Sequence, residues 1–273
     1  MDAIVLSYTV DELVPYIDWT YFFHAWGIRP SQQHTGFAES LLRDARDILS
    51  VLTREVKTHG IIRLCRANAQ GDDLIVEDTR IPLLRQQTHR DKGEHLYLCL
   101  SDFVQPLSSG KTDTVGLFAT SVNLPVGTTT DDPYHSLMIQ TLSDRLAEAT
   151  AEKMHQYVRR DLWGYAAQEH LCIDDLLKCR YQGIRPAIGY PCLPDQSIIF
   201  LIANLLPIER IGITLTENGA MQPHASICGL MLSHPAARYF AVGTVGEDQL
   251  SDYAQRRGMP IDKTRKFLRS NLT

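Results

Sequence analysis

Apolar residues recur at helical spacing in two long stretches of the chain. In the first, which follows Gly36, they are spaced by four, three and four residues, which predicts an amphipathic helix with Gly60 as its C-cap. The second opens with Asp132 as an N-cap and Pro133 at the first helical position, and it predicts a long helix that runs to about Trp163. The apolar positions are Leu41, Ala45, Ile48 and Leu52 in the first stretch and Met138, Leu142, Leu146 and Ala149 in the second.

Shorter apolar runs predict β-strands. Residues 61–65 and 74–76 are joined across Gly71 and Asp72, a turn pair that is typical of a hairpin. Residues 182–194 hold three prolines and two glycines, which predicts an irregular loop. Further strands are predicted at residues 97–100, 115–119, 227–232 and 239–242, and shorter helices at residues 197–205, 247–257 and 262–270.

The order of these elements predicts an α+β fold with an antiparallel sheet, with residues 1–273 as one domain. The strands are spaced as hairpin partners and not as βαβ crossovers. No GxGxxG motif joins a strand to a helix, which disfavours a doubly wound nucleotide-binding fold. Near the N-terminus, Thr9 and Glu12 have capping-box spacing, and Pro15 limits the helix after them to a short turn.

The composition disfavours several classes of protein. The chain has 273 residues, 44% of them hydrophobic and 22% charged, as in an ordinary globular protein. Its net charge is −5 without a stripe of Lys and Arg, which disfavours a nucleic-acid partner. No apolar run reaches the roughly 18–20 residues of a membrane span. The six cysteines form no CxxC motif and no signal-peptide pattern is present, so we expect reduced core thiols, no metal site and a cytoplasmic location.

Five segments, in the same order along nearly the whole chain, resemble the activation (reactivation) domain of cobalamin-dependent methionine synthase. The most specific is the segment at residues 181–191, YQGIRPAIGYP. The others are YIDWT at 16–20 with Phe22 and Phe23, DTR at 78–80 with RQQT at 85–88, DRLAEA at 144–149 with WGY at 163–165, and LTE at 215–217 with SHP at 233–235 and YFAV at 239–242. The resemblance implies a C-shaped (helmet-like) α+β domain with a twisted antiparallel sheet and flanking helices. It also implies that the ligand lies extended in a shallow groove at the sheet edge.

The resemblance implies a site for S-adenosylmethionine. Arg185 would bind the ligand's α-carboxylate, because a guanidinium makes a planar bidentate pair with it. Asp18 would face the α-ammonium, and Glu148 would be a further ligand-binding residue. The residues alone leave other roles open: a surface salt bridge for Arg185, an N-cap or turn for Asp18, and an ion pair between Glu148 and Arg145, which precedes it by three residues.

Further contacts are implied around the rest of the ligand. Ala187 and Gly189 would offer backbone groups, and Tyr190 would contact the sulfonium or the ring unless it packs in the core. Tyr239 and Phe240 match a pair that contacts the adenosine, and because they are adjacent residues of a predicted strand, at most one of them can stack there. No catalytic acid or base is implied, so the four candidate histidines are interpreted as structural; they are His89, His155, His224 and His234.

The function implied by the resemblance is that of a methyltransferase subunit or domain. The chain would bind S-adenosylmethionine and donate its methyl group to cob(I)alamin on a corrinoid-binding methionine synthase module or subunit. A flavodoxin-like electron donor would reduce the cobalt first. The corrinoid-binding signature DxHxxG is absent from the chain, so cobalamin is expected on the partner chain and in transient contact only. The start at Met1 without linker sequence favours a stand-alone subunit of a split enzyme over an excised domain.

Two other functions stay open at this point. A non-catalytic subunit could sense S-adenosylmethionine or chaperone a corrinoid protein without methyl transfer. The chain could also reactivate a different corrinoid methyltransferase. The first alternative predicts no S-adenosylhomocysteine in a reduced assay, and the second depends on which corrinoid protein co-purifies.

Overall fold

The computed structural model describes residues 2–53, 56–87, 97–125 and 131–272. The strands are β1 (Ile4–Thr9), β2 (Lys57–Gln70), β3 (Asp73–Val76), β4 (Thr79–Pro82), β5 (Asp113–Asn123), β6 (Thr214–Leu215), β7 (Met221–Gln222) and β8 (Ser226–Met231). The α-helices are α1 (Val10–Leu13), α2 (Trp19–Ala25), α3 (Gly36–Leu52), α4 (Pro133–Tyr157), α5 (Ile173–Leu177), α6 (Ile198–Leu205), α7 (Glu247–Arg257) and α8 (Ile261–Phe267). Thr88, at the end of the RQQT segment, and His89 lie outside the described residues.

Six strands form one antiparallel sheet in the order β4-β3-β2-β5-β8, with β1 paired to the first part of β2. Its centre is the long β2–β5 pair, which stays in register over eleven positions. The hairpin across Gly71 and Asp72 is confirmed, because β2 and β3 pair there as Gln70↔Asp73. The sheet curls into a half-barrel with helices against it, which confirms the predicted α+β fold with a twisted antiparallel sheet and flanking helices.

Helices cover both faces of the central strand. β5 is buried at eight consecutive positions, residues 115–122. On one face Leu117 packs in the same apolar cluster as Ile202 of α6, and on the other Phe118 packs with Met154 of α4. The sheet is therefore the middle layer of the fold, and α4 is held against it by its apolar stripe.

Helix α4 begins and ends as its sequence predicts. The Asp132 side chain accepts a hydrogen bond of 3.1 Å from the Tyr134 N–H, and Pro133 occupies the first helical position. One turn of π-helix, Val158–Leu162, extends the helix to Trp163. The predicted apolar positions are buried at 1% exposure or less; they are Met138, Leu142, Leu146 and Ala149.

The predicted end of α3 is wrong. The helix stops at Leu52, and the backbone N–H of the next residue, Thr53, bonds to Leu49 O. Gly60, predicted as the C-cap, lies inside β2 and pairs with Thr120 of β5. Strand pairing extends β2 back to residue 57, so the glycine belongs to the sheet and not to the helix.

Two predicted strands are also absent from the described structure. Residues 97–100 lead into a 3-10 helix, Leu100–Phe103, and the Asp102 carboxylate fixes its start by accepting a 2.8 Å hydrogen bond from the Cys99 N–H. Residues 239–242 have no regular secondary structure. An apolar run needs a free sheet edge to become a strand, and residues 184–188 occupy the edge of β8.

All six cysteines are free thiols. Cys172 and Cys179 are exposed, so the prediction of core thiols is wrong for these two; the other four are buried. Among the residues that the structure describes, no helix combines the length and the apolar character needed to cross a membrane.

Candidate functional site

The loop that contains the YQGIRPAIGYP segment is tied to the free edge of β8. Ile184 and Leu232 exchange backbone hydrogen bonds of 2.9 Å in both directions. The Leu230 N–H donates to Pro186 O at 3.0 Å. Residues 184–188 therefore run beside β8 as a short additional strand, and the sheet orders the centre of the loop that the sequence predicts to be irregular.

Two glycines let this loop approach β8 closely. A Cβ at Gly229 in β8 would lie 2.8 Å from Ala187 Cα, and one at Gly183 would lie 2.5 Å from Leu232 O. Gly183 also has a φ of +84°, which residues with a side chain rarely adopt. A larger residue at either position would move the backbone, so these glycines determine where the loop holds Arg185 beside β8.

A cleft of about 710 Å³ opens beside this loop. That volume suits a ligand of small-molecule size. Six of the eight residues predicted to bind the ligand line the cleft; they are Asp18, Glu148, Arg185, Tyr190, Tyr239 and Phe240. The other lining residues are Tyr16, Tyr21, Arg145, Glu152, Leu177, Cys179, Pro191, Cys192 and Ala241. Three carboxylates and two guanidiniums thus face the same space.

Protein groups already hold part of the Arg185 guanidinium at the cleft wall. Its Nη2 lies 2.7 Å from Oε2 of Glu152, and its Nη1 donates to the Tyr181 hydroxyl. The pair with Glu152 is buried, with the two side chains 14% and 4% exposed, so Arg185 is not in a surface salt bridge. A guanidinium has five N–H donors, and these contacts use two of them.

Glu148 faces the cleft one helical turn before Glu152. Its Oε1 accepts a hydrogen bond of 2.8 Å from the Tyr190 hydroxyl. Burial and the Glu148 carboxylate both raise the pKa of Tyr190, so the phenol stays protonated and donates. The structure has no ion pair between Glu148 and Arg145; the Arg145 guanidinium carbon lies 5.9 Å from the centre of the Tyr21 ring instead. The Glu148 carboxyl group therefore lies on the cleft wall bonded to Tyr190 and not to Arg145.

Asp18 both caps a helix and lines the cleft. It is the N-cap of α2, and its Oδ1 accepts a hydrogen bond of 2.9 Å from the Thr20 N–H. No group among the described residues donates to Oδ2. The cap and the ligand-binding role are thus compatible, because they use different oxygens of the same carboxylate.

Tyr239 and Phe240 both line the cleft. The premise that these residues lie on a strand is wrong, so strand alternation does not force one of them away from the cleft; their stacking on the adenosine stays a prediction. The Tyr239 hydroxyl also accepts a hydrogen bond of 3.0 Å from the Arg185 N–H, which ties this segment to the loop beside β8.

Ala187 and Gly189 lie beside the cleft and not on its described lining. Ala187 is 3% exposed, and its carbonyl accepts a hydrogen bond of 3.1 Å from the Tyr190 N–H. Gly189, at φ +89°, donates its N–H to Leu193 O at 2.9 Å. These bonds form the turn that presents Tyr190, and the backbone contacts of both residues with a ligand stay predictions.

A second buried ion pair lies behind Tyr181. Nε and Nη2 of Arg159 lie 2.8 and 2.7 Å from the two carboxylate oxygens of Glu169, and the Arg159 guanidinium carbon is 4.0 Å from the centre of the Tyr181 ring. His155 packs edge-on against the same ring at 5.0 Å. Burial, together with Arg159 and Arg185, holds the pKa of His155 well below its usual value, so its ring is neutral and structural.

The other described histidines lie away from the cleft lining. Nδ1 of His234 accepts a hydrogen bond of 3.1 Å from the Ala236 N–H, as a turn histidine does. Nδ1 of His224 is 3.5 Å from Oδ1 of Asp144 on the surface. No group of three side chains suited to a metal ion occurs in the described part of the chain.

Two charged residues of the cleft were not predicted to bind the ligand. They are Arg145, considered only as an ion-pair partner of Glu148, and Glu152. Both share the face of α4 that carries Glu148, because the three are spaced by three and four residues. That spacing was a usable signal. Cys179 also lines the cleft, at a φ of +52°, and nothing in the sequence points to it.

The protein is thus an α+β domain with a cleft of small-molecule size, in which opposite charges lie side by side. The family model described as the activation domain of vitamin B12 dependent methionine synthase matches residues 9–258. The crystal structure of a MetH reactivation domain bound to AdoHcy is similar to this chain, with a TM-score of 0.91 and 37% sequence identity. The match covers 100% of this chain and 90% of that one. The chain belongs to the family of methionine synthase activation domains.

Proposed function

We propose that this chain binds S-adenosylmethionine in the cleft and transfers its methyl group to cob(I)alamin on a partner corrinoid protein, which reactivates cobalamin-dependent methionine synthase. The observation that carries this proposal is the meeting of Arg185, Glu148 and Asp18 in one cleft. Membership of the activation-domain family supports it. So does the AdoHcy in the similar reactivation domain, because S-adenosylhomocysteine is what remains of S-adenosylmethionine after methyl transfer.

The charges of the cleft fit this ligand. S-adenosylmethionine carries a carboxylate, an ammonium and a sulfonium, hence one net positive charge. The three carboxylates and two guanidiniums of the cleft carry one net negative charge. Arg185 binds the ligand carboxylate through its remaining N–H donors, and Asp18 accepts from the ammonium. Glu148 and the ring of Tyr190 lie against the sulfonium.

The adenosine end of the ligand lies against Tyr239 and Phe240. Both rings are on the cleft wall, and neither is constrained by strand alternation to point away. Ala187 and Gly189 offer backbone groups beside Arg185. The phenol of Tyr239 is already bonded to the Arg185 N–H, so the adenosine and amino-acid ends of the site are positioned together.

The methyl transfer requires that the sulfonium be positioned, and it requires no acid–base chemistry. The electron pair of cobalt(I) forms the bond to the methyl carbon, while the carbon–sulfur bond breaks and leaves its pair on sulfur. No proton moves at the methyl group. The residues of this chain hold the sulfonium in line with the partner's cobalt and exclude water from it. A flavodoxin-like donor supplies the electron that restores cobalt(I).

The experiment mixes this chain with S-adenosylmethionine and a reduced corrinoid-carrying methionine synthase partner. Methylcobalamin and S-adenosylhomocysteine should form in equal amounts. Binding of S-adenosylmethionine without either product would contradict the transfer and favour a sensing or chaperone role.

Replacing Arg185 or Asp18 by alanine is expected to weaken S-adenosylmethionine binding about ten- to a hundred-fold, because each change removes a charge-assisted contact of about 1.5–3 kcal/mol. Isothermal titration calorimetry measures the loss. Circular dichroism checks folding, since Arg185→Ala leaves the buried Glu152 carboxylate without its partner. Arg180→Ala is the matched control, because that side chain is 61% exposed and pairs with Asp175. Unchanged affinity in both folded variants would refute the site assignment.

Free cobalamin is expected to bind this chain weakly or not at all. The chain carries no DxHxxG signature, and we assign it only one wall of the corrinoid pocket, with the rest on the partner. Equilibrium dialysis with cobalamin measures this, with S-adenosylmethionine as the positive control. Micromolar binding, about −8 kcal/mol, in the absence of a partner would show that this chain holds a corrinoid site of its own.

A further inference from the structure

One oxygen of the Glu152 carboxylate is buried without a hydrogen-bond partner among the described residues. The side chain is 4% exposed, and its Oε2 is 2.7 Å from Arg185 Nη2. Its Oε1 contacts no donor in the described structure. Buried polar atoms almost always have a partner, so this oxygen requires one that the described residues do not provide.

The oxygen belongs to a side chain that a ligand can reach. Glu152 is part of the cleft lining, on the same face of α4 as Glu148. Burial raises the pKa of the Glu152 carboxyl, and the charges of Arg185 and Arg159 oppose that rise. The carboxyl group thus lies beside a guanidinium, with one oxygen bonded to it and the other buried without a donor among the described residues.

We infer that Glu152 Oε1 accepts a hydrogen bond from the α-ammonium of the bound S-adenosylmethionine. This inference rests on the proposed function. The carboxylate and the ammonium of the ligand are attached to one carbon, so a carboxylate on Arg185 places the ammonium beside the group that flanks Arg185. That group is Glu152. The protein ion pair thus presents a positive and a negative charge to a ligand with the complementary pair.

The role of Glu152 adds to that of Asp18. An ammonium has three N–H donors, so it can serve both carboxylates. Asp18 is partly exposed and gives one oxygen to the helix cap, whereas Glu152 is buried. Glu152 then has two functions, since it positions Arg185 through Oε2 and binds the ligand directly through Oε1.

Decarboxylated S-adenosylmethionine separates these two functions, because it keeps the ammonium and lacks the group that Arg185 binds. Glu152→Gln keeps the size of the side chain and removes its charge. The variant is expected to bind this probe about ten- to a hundred-fold more weakly than the wild type in calorimetry. Unchanged binding of this probe would overturn the inference, because a residue that only positions Arg185 has no effect on a ligand without a carboxylate.

Two controls make the result specific. Glu169→Gln changes another buried carboxylate paired with an arginine, but one outside the cleft lining, and it should leave the affinity unchanged. 5′-Methylthioadenosine lacks the whole amino-acid part and should bind wild type and Glu152→Gln equally. An equal loss for this probe would mean general damage to the cleft and would also overturn the inference. Failure of the wild type to bind S-adenosylmethionine would instead refute the proposed function.

If Glu152→Gln does not fold, the inference is tested with the variant Asp18→Ala. The two probes are S-adenosylhomocysteine and its deaminated analogue, which differ only in the ammonium. If Glu152 also accepts from the ammonium, Asp18→Ala keeps a preference of about ten-fold or more for the ammonium-bearing probe. Loss of all preference would mean that Asp18 is the only acceptor and would overturn the inference.

Discussion

Methylcobalamin is expected to form from S-adenosylmethionine only after the cobalt of the partner has been reduced to the +1 state. In-line displacement at the methyl carbon requires a filled electron pair on the attacking atom. Cobalt(I) has this pair, whereas cobalt(II) does not. The expected effect is therefore complete dependence on a reductant, with no methyl transfer in its absence.

The visible spectrum of the partner's corrinoid follows this reaction. The spectra are recorded with and without a flavodoxin system or a chemical reductant. S-adenosylhomocysteine in place of S-adenosylmethionine is the matched control, since it binds in the same cleft under the proposal but has no methyl group to give. Transfer without any reductant would refute the displacement mechanism. No transfer under full reduction, in a complex shown to form, would favour the sensing or chaperone alternative.

Replacing Arg159 by leucine is expected to lower the free energy of unfolding by about 3–5 kcal/mol, because it leaves the Glu169 carboxylate buried without its counter-charge. The two side chains are 0% and 6% exposed, so water cannot replace the lost partner. The lost guanidinium also packs on the Tyr181 ring, which in turn bonds Arg185. Urea denaturation followed by circular dichroism measures the change in midpoint.

Two further variants test the cause of this loss. Arg160→Leu changes the exposed neighbour and should shift the free energy of unfolding by about 0.5 kcal/mol or less. The double variant Arg159→Leu with Glu169→Leu removes both charges and should recover most of the stability, since a buried ion pair replaced by apolar side chains is often neutral. A loss below about 1 kcal/mol in the single variant would contradict the account of an unpaired buried charge.

The elements that are predicted correctly are those fixed by contacts between residues close in the sequence. Asp132 and Pro133 fix the start of α4 through contacts within four residues, so the prediction needs no knowledge of the fold. The capping box of Thr9 and Glu12 is confirmed for the same reason. Residues 239–242 have the apolar character of a strand, but their pairing depends on an edge that a distant loop occupies. The prediction of Gly60 as a helix C-cap is wrong for a similar reason, because its strand partner Thr120 is far away in the sequence.

The sequence predicts only part of the candidate site. Motifs point to six residues that the fold brings to one cleft, including Arg185 and Tyr190. They do not reveal that Glu152 is the counter-charge of Arg185, because the two residues are 33 positions apart and only the packing of α4 against the loop brings them together. The alternative pairing of Glu148 with Arg145 was open because both lie on one face of the same helix. In the structure Arg145 lies over the Tyr21 ring, and Glu148 accepts a hydrogen bond from Tyr190.

The segment at residues 184–188 has a bearing on solubility as well as on ligand binding. Without it, β8 would end the sheet with a row of unpaired N–H and C=O groups, and such an edge accepts strands from other molecules. On the outer side of this segment the Arg185 N–H bonds to the Tyr239 hydroxyl and the Ala187 carbonyl accepts from the Tyr190 N–H, so the covering segment is itself a poor template for further pairing. Substitutions that loosen this loop, such as those at Gly183 or Gly229, would therefore promote aggregation of the protein through an exposed sheet edge.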